Sequence, residues 1–215
     1  MDSKPVLHYW PMWGRAETIR MLLWVNKMDW DEKNYPRYRV EPEKWAEAKK
    51  DLEFGALPRL DIDGLQLVQS KAIERYLVNK FNMVPESLKD RYLVDSMIDL
   101  HLDMIGALIP YFTTKPEDQP AFIENYVEKE LTPKLVFIEK RVKDCGSDEF
   151  MVGGKLSHVD ICNIWLLDTM RAMFGTNEKV MKSLETAPAY CKLVDTLKSK
   201  TFKEYIDNVR KPFSV

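Results

Sequence analysis

Tyr9 is the first residue whose type and place could do chemistry. It closes the short apolar run PVLHYW, residues 5–10, just before Gly14-Arg15 opens a helical pattern. A strand end facing a helix N-terminus is where α/β folds build binding sites. A tyrosine hydroxyl there can donate a hydrogen bond to an anion. A half-buried aromatic with its hydroxyl in water fits the position as well. The stretch around it, LHYWPMWGR, crowds Tyr9, Trp10, Met12 and Trp13 about Pro11. That is more aromatic surface than a strand with Pro and Gly three positions apart normally carries. Gln69-Ser70 forms a second candidate, at a strand-to-helix junction. Free N–H groups and the helix dipole favour a carboxylate or phosphate at such a place. A plain N-cap explains Ser70 but not Gln69. Leu57-Pro58 opens a hairpin. Pro is tolerated at the first residue of a strand, and a cis bond would instead turn the Leu57 backbone outward to pair with an extended ligand. Asp95, Asp99 and Asp103 recur every fourth residue. Such a stripe is ordinarily a solvated helix face, and no matching carboxylate or His set stands opposite it to make a metal site.

The elements that must position these residues come in two styles. The first eighty residues read strand, helix, a possible strand, helix, strand, strand, helix. Ile19, Leu22 and Leu23 share one helical face, PEKWAEAKK (42–50) is a short polar helix, and LPRLDI and LQLVQ flank Asp63-Gly64 as a hairpin. SKAIERYLVNKF (70–81) is a helix with Ser70 as its N-cap. This is a small α/β unit of thioredoxin-like layout. Pro85 lies in a polar connection, 79–91, where a domain boundary is placed, giving domains 1–83 and 84–215.

Beyond the boundary no convincing strand appears. Val94, Met97, Ile98, Leu102, Ile105, Leu108 and Ile109 trace one face of a long helix, and 119–143 form another. LSHVDICNIWLLDTM (156–170) is apolar almost all round and reads as the buried central helix, with Ser157 and Asp160 as its capping box. The second half is therefore all-α.

Size and charge narrow the function. The 215 residues carry 32 basic and 34 acidic side chains, with no Lys/Arg block, which argues against nucleic acid as a partner. No stretch of about 18 uncharged apolar residues exists to span a membrane. The three cysteines, Cys145, Cys162 and Cys191, cannot all pair, are not spaced C-x-x-C, and read as buried small hydrophobes. With three scattered histidines there is no metal-ligand spacing. Without a charged flank followed by an apolar run at the N-terminus, a reducing, cytoplasmic setting is the expectation.

Three strings, LHYWPMWGRAETIRMLL, FGALPRLDIDGLQLVQSKAI and VGGKLSHVDI, stand in order across this layout. With them the chain resembles the cytosolic glutathione transferases, in their tyrosine-using branch, and is most like the alpha and sigma classes. The resemblance runs nearly end to end and implies the glutathione transferase fold, a thioredoxin-like domain followed by an all-helical one. It implies that Tyr9 donates to the glutathione sulfur and that Arg15 adds positive charge nearby. It implies that Gln69 and Ser70 hold the γ-glutamyl carboxylate, that Leu57 before a cis Pro58 pairs with the cysteinyl backbone, and that Trp45 and Lys49 meet the glycine end. Asp103 would reach across a homodimer to the glutathione amino group. The opening loop, with Trp10, Met12 and Trp13, would line or support a pocket for an apolar electrophile, joined by Ile105, Ile109, Phe112 and a C-terminal flap residue, Phe213. Two positions depart from the family pattern: Ala56, where Gln is common, and Trp13, where Arg is frequent. The implied activity is conjugation of glutathione to apolar electrophiles, with glutathione as co-substrate and no metal. A glutathione-dependent isomerase of prostaglandin type, or a non-catalytic carrier of hydrophobic ligands or structural relative, are the competing readings.

Overall fold

The computed structural model describes residues 4–211 and 213. The chain forms two compact units. One runs to Met83 and takes back the chain from Glu204, and the other is Val84–Lys203.

The first unit is built on a four-stranded sheet, ordered β2-β1-β3-β4. Strand β1 (Val6–Tyr9) runs parallel to β2 (Asp31–Asn34) and antiparallel to β3 (Arg59–Ile62), which pairs antiparallel with β4 (Leu65–Val68). The β3–β4 turn is Asp63-Gly64, with φ of 54° and 75°. Both residues are left-handed, as a two-residue hairpin of this twist requires, and only Gly adopts that conformation without cost. Helices α1 (Glu17–Val25) and α3 (Ser70–Lys80) pack together beside the sheet, while α2 (Pro42–Ala48) has no buried residue. Leu7, Ile19, Leu22, Leu23, Leu60, Ile73 and Leu77 are wholly buried and make the core. Each contributes roughly 1.5–3 kcal/mol by leaving water. This is the expected thioredoxin-like layout.

One boundary differs from the sequence reading, and its possible strand is present. Ser70 is the first residue of α3 and Gln69 is the N-cap. The element at Asp31–Asn34 is a strand of four polar residues. It pairs on one side only, with β1, so its side chains need no apolar alternation.

The second unit is helical: α4 (Leu88–Leu108), α5 (Gln119–Tyr126), α6 (Thr132–Cys145), α7 (His158–Phe174), α8 (Glu178–Leu184) and α9 (Pro188–Lys200). Helix α7 is buried almost all round, as its composition requires. Asp160 accepts from the Ser157 N–H at 2.9 Å and the Met151 N–H at 2.8 Å, closing the capping box. Burial pushes its carboxyl up to about 6 against those bonds. The Glu139 carboxylate of α6 caps α9 by accepting from the Ala189 and Tyr190 N–H groups at 3.2 and 2.9 Å.

The single helix expected over 119–143 is instead α5 and α6 joined by a wide turn, Val127–Leu131. Pro133 lacks the N–H that would bond to the Lys129 carbonyl, and a wider turn accommodates the gap. On α4 the buried face is Val94, Met97, Ile98, His101, Met104 and Leu108. Ile109, expected on that face, begins the short helical turn Ile109–Thr113 and is 49% exposed. Cys162 is buried, whereas Cys145 and Cys191 are only half-buried. Among the described residues no helix is long and apolar enough to cross a membrane.

Candidate active site

The sheet register brings three candidates to one end of the sheet. His8 pairs with Arg59, and Arg59 pairs with Val68. The residues beyond those pairs on that side are Tyr9, the last of β1, and Pro58 and Gln69, which directly flank β3 and β4. The Leu57–Pro58 bond is cis.

Tyr9 is 5% exposed. Its hydroxyl oxygen accepts from the Arg15 backbone N–H at 3.0 Å. Gly14 makes that approach possible: with φ at 44°, a Cβ there would stand 2.4 Å from the Tyr9 oxygen. Burial pushes the Tyr9 phenol above its ordinary value, and the Arg15 N–H with the Arg20 and Arg15 guanidiniums pulls against this without cancelling it. The phenol is therefore a neutral donor throughout the neutral range. Among the described residues none accepts from its O–H. The Arg15 side chain itself is exposed, so the part of Arg15 that touches Tyr9 is its backbone.

Trp10 connects Tyr9 to α2. Its ring lies 5.1 Å from Tyr9, 5.2 Å from Trp45 and 5.8 Å from Tyr38, and its Nε1–H donates to the Pro36 carbonyl at 2.9 Å. Lys49, at the end of α2, is exposed, and Met12 is half-buried. Trp13 is 9% exposed. The Arg210 guanidinium lies 3.7 Å from its ring centroid, and Phe213 meets it edge-on at 4.8 Å. Gln69 is exposed and Ser70 buried at the start of α3, whose N-cap makes no side-chain hydrogen bond. Leu57 is half-buried and Pro58 buried. In the helical unit, Asp103 is exposed and Ile105 half-buried on α4, and Phe112 is half-buried in the turn that follows.

The sequence reading missed the charged group behind this loop. Arg20 is 2% exposed and donates to the Met12 carbonyl at 2.8 Å and to Glu32 at 2.7 Å. Burial opposes the Glu32 charge, but Arg20 and Lys211 hold its carboxyl below the usual range. Glu17 and Arg20, an i,i+3 charged pair inside the otherwise mostly apolar stretch AETIRMLLWV, were the available signal. Charges are almost never fully buried unless paired.

The comparisons with known proteins identify the family. The glutathione S-transferase N-terminal domain matches residues 5–79, and the corresponding C-terminal domain matches 99–208. A glutathione S-transferase of Gallus gallus is 31% identical over 213 residues, covering 98% of this chain and 89% of that relative. The chain belongs to the glutathione transferase family. Glutathione S-transferase alpha-1 of Rattus norvegicus is 33% identical, over 78% of this chain and 74% of its own length. Among solved structures, prostaglandin synthase D of Nilaparvata lugens superposes with a TM-score of 0.82 at 23% identity, over 98% of this chain and all of that one. The Fasciola hepatica sigma class transferase gives 0.81 at 21%, over 97% of each chain. These two likenesses show the fold. Family membership makes the chain a transferase with glutathione as co-substrate.

Proposed function

We propose that this member of the glutathione transferases joins the glutathione thiolate to apolar electrophiles, with Tyr9 as the donor that activates the thiol. One observation carries the reading. The Tyr9 oxygen already accepts from the Arg15 N–H at 3.0 Å, which leaves its O–H to donate to a ligand, and Tyr9 lies at the sheet end where Pro58 and Gln69 also flank their strands. A free thiol has a pKa of about 8.5, so only a few per cent is thiolate at neutral pH. A fixed O–H donor stabilises the thiolate and not the thiol, and each unit of lowering is about 1.4 kcal/mol of preferential binding.

In this reading Gln69, Ser70 and the free N–H groups of α3 take the γ-glutamyl carboxylate, and the Leu57 backbone takes the cysteinyl part. Trp45 and Lys49 take the glycine end, and Arg15 adds positive charge near the sulfur. The aromatic opening loop, Trp10 and Met12 foremost, favours flat apolar electrophiles through area burial and ring contacts. Such conjugation is detoxification chemistry, carried out in the cytoplasm. Tyr9→Phe tests the assignment: conjugation of an aryl halide at neutral pH should fall roughly 10- to 100-fold, the size of one lost donor. The loss should shrink at high pH, where the thiol ionises unaided, and glutathione affinity should stay near normal. An unchanged neutral-pH rate sinks the assignment.

The same reading includes a two-fold homodimer in which Asp103 of the partner subunit pairs with the glutathione ammonium. Asp103 is exposed on α4, as such a role needs. Asp103→Asn should raise the KM for glutathione more than it lowers kcat, because it removes ground-state binding. A monomer at micromolar concentration in sedimentation refutes the dimer.

A further inference from the structure

The loop that presents the Tyr9 hydroxyl is held from behind by the far end of the chain. Arg20 Nη1 donates to the Met12 carbonyl at 2.8 Å and lies 3.4 Å from that of Trp13. Its guanidinium carbon is 5.9 Å from the centroid of the Tyr9 ring. The next residue, Gly14, abuts the Tyr9 oxygen, and Arg15 supplies its N–H. Any shift of the Met12–Gly14 backbone therefore moves the donor that fixes the phenol.

Arg20 is anchored in turn by two carboxylates. Glu32 accepts from it at 2.7 and 3.3 Å, and Glu17 Oε2 lies 3.4 Å away. Glu17 is wholly buried, and its other oxygen belongs to the C-terminal segment. Oε1 accepts from the Tyr205 hydroxyl at 2.9 Å and from Arg210 Nε at 2.8 Å. The Arg210 guanidinium also lies over the Trp13 ring, and the Lys211 carbonyl accepts from Trp13 Nε1. Lys211 Nζ completes the ring of charges on Glu32.

We infer that Arg210 is a positioning residue for catalysis: by holding Glu17 and covering Trp13, it keeps Arg20 on the loop carbonyls and the loop on the Tyr9 hydroxyl. The inference rests on the reading of Tyr9 as the thiol donor. Its physical basis is the planar fork of arginine. One edge meets a buried carboxylate while the face stacks on an aromatic ring, which a lysine ammonium cannot do in one geometry. Without Arg210, the buried Glu17 charge must draw more on Arg20, and Arg20 is then shared away from Met12 and Trp13.

The test compares Arg210→Gln and Arg210→Lys with the parent. Both variants would be assayed for kcat/KM against pH with an aryl halide, and for the thiolate absorbance of enzyme-bound glutathione. The expected result is a rise of about one unit in the apparent pKa of the bound thiol, read as a loss in kcat/KM that is about 3-fold at neutral pH and approaches 10-fold below the parent's thiol pKa. That loss should close towards pH 9, with the KM for glutathione held within about 2-fold. Arg210→Lys keeps the charge and serves if Arg210→Gln does not fold. A lowered Tm with an unmoved thiol pKa overturns the inference, because it is what a purely structural contact gives. A cycle with Tyr9→Phe separates the two readings. In that background Arg210→Lys should cost less than about 2-fold, since the donor it aims is already gone. A full, additive loss refutes positioning while leaving Tyr9 as the donor. An unchanged rate in Tyr9→Phe alone overturns the Tyr9 reading and this inference with it.

Discussion

Gln69 holds φ 68° and ψ 109°, a conformation that side chains other than glycine adopt only at a cost. Such strain is of order 1–3 kcal/mol and persists where its surroundings impose it. Here β4 must end and α3 must begin with the residue turned outward at the same sheet end as Tyr9. Gln69→Gly separates backbone from side chain. Glycine removes the strain and adds about 0.5–1 kcal/mol of unfolded-state entropy cost, so the variant should be at least as stable as the parent. It also deletes the amide proposed to meet the glutathione carboxylate, so the KM for glutathione should rise roughly 10-fold, the worth of one hydrogen bond to a charged group. Thermal melts and steady-state kinetics read the two effects apart, and an unmoved KM removes the Gln69 side chain from the site. Trp13 makes a related point. It stands where the resemblance implies arginine, and here the Arg210 guanidinium is brought onto its ring from the other end of the chain.

At the level of elements, legibility in the sequence followed how local the cause was. Helix α7 was readable because burial on every side forces an apolar composition, and its capping box lies within four residues. The hairpin was readable because Asp63-Gly64 is a turn signal in itself. Strand β2 was legible only as a possible strand, since an edge strand with one partner and mostly exposed side chains leaves no alternation to read. The division of 119–143 into α5 and α6 depended on what one missing N–H does to a helix, which hydrophobic spacing does not register. Of the candidate site, Tyr9, Pro58 and Gln69 were each visible as a residue type at an element end. Their common end of the sheet needed the register. The Glu17, Arg20 and Arg210 group was invisible, because the Glu17–Arg210 bond joins residues 193 positions apart, and only the Glu17 and Arg20 charges in α1 hinted at it.

On the scale of the whole molecule, the first unit is made of two separated pieces of chain, so its stability is not contained in residues 1–83. Glu17 is wholly buried on α1, and two of the groups that satisfy it, the Tyr205 hydroxyl and Arg210 Nε, come from the returning segment. The same segment lays Tyr205 against Trp24, with ring centroids 5.5 Å apart, and covers Trp13. Cutting the chain after Met83 leaves the Glu17 carboxylate with Arg20 at 3.4 Å as its remaining ion pair. Breaking a buried pair by removing one partner costs roughly 3–5 kcal/mol. A unit of this length has only about 4–12 kcal/mol in total. A fragment of residues 1–83 should therefore melt at a much lower temperature than the parent or show no cooperative transition. The same fragment joined to residues 204–215 through a flexible Gly/Ser linker of about 20 residues should regain one. Circular dichroism melts of the two fragments decide the matter: equal, cooperative unfolding of both would mean that the returning segment adds nothing to the fold and that Glu17 is satisfied without it.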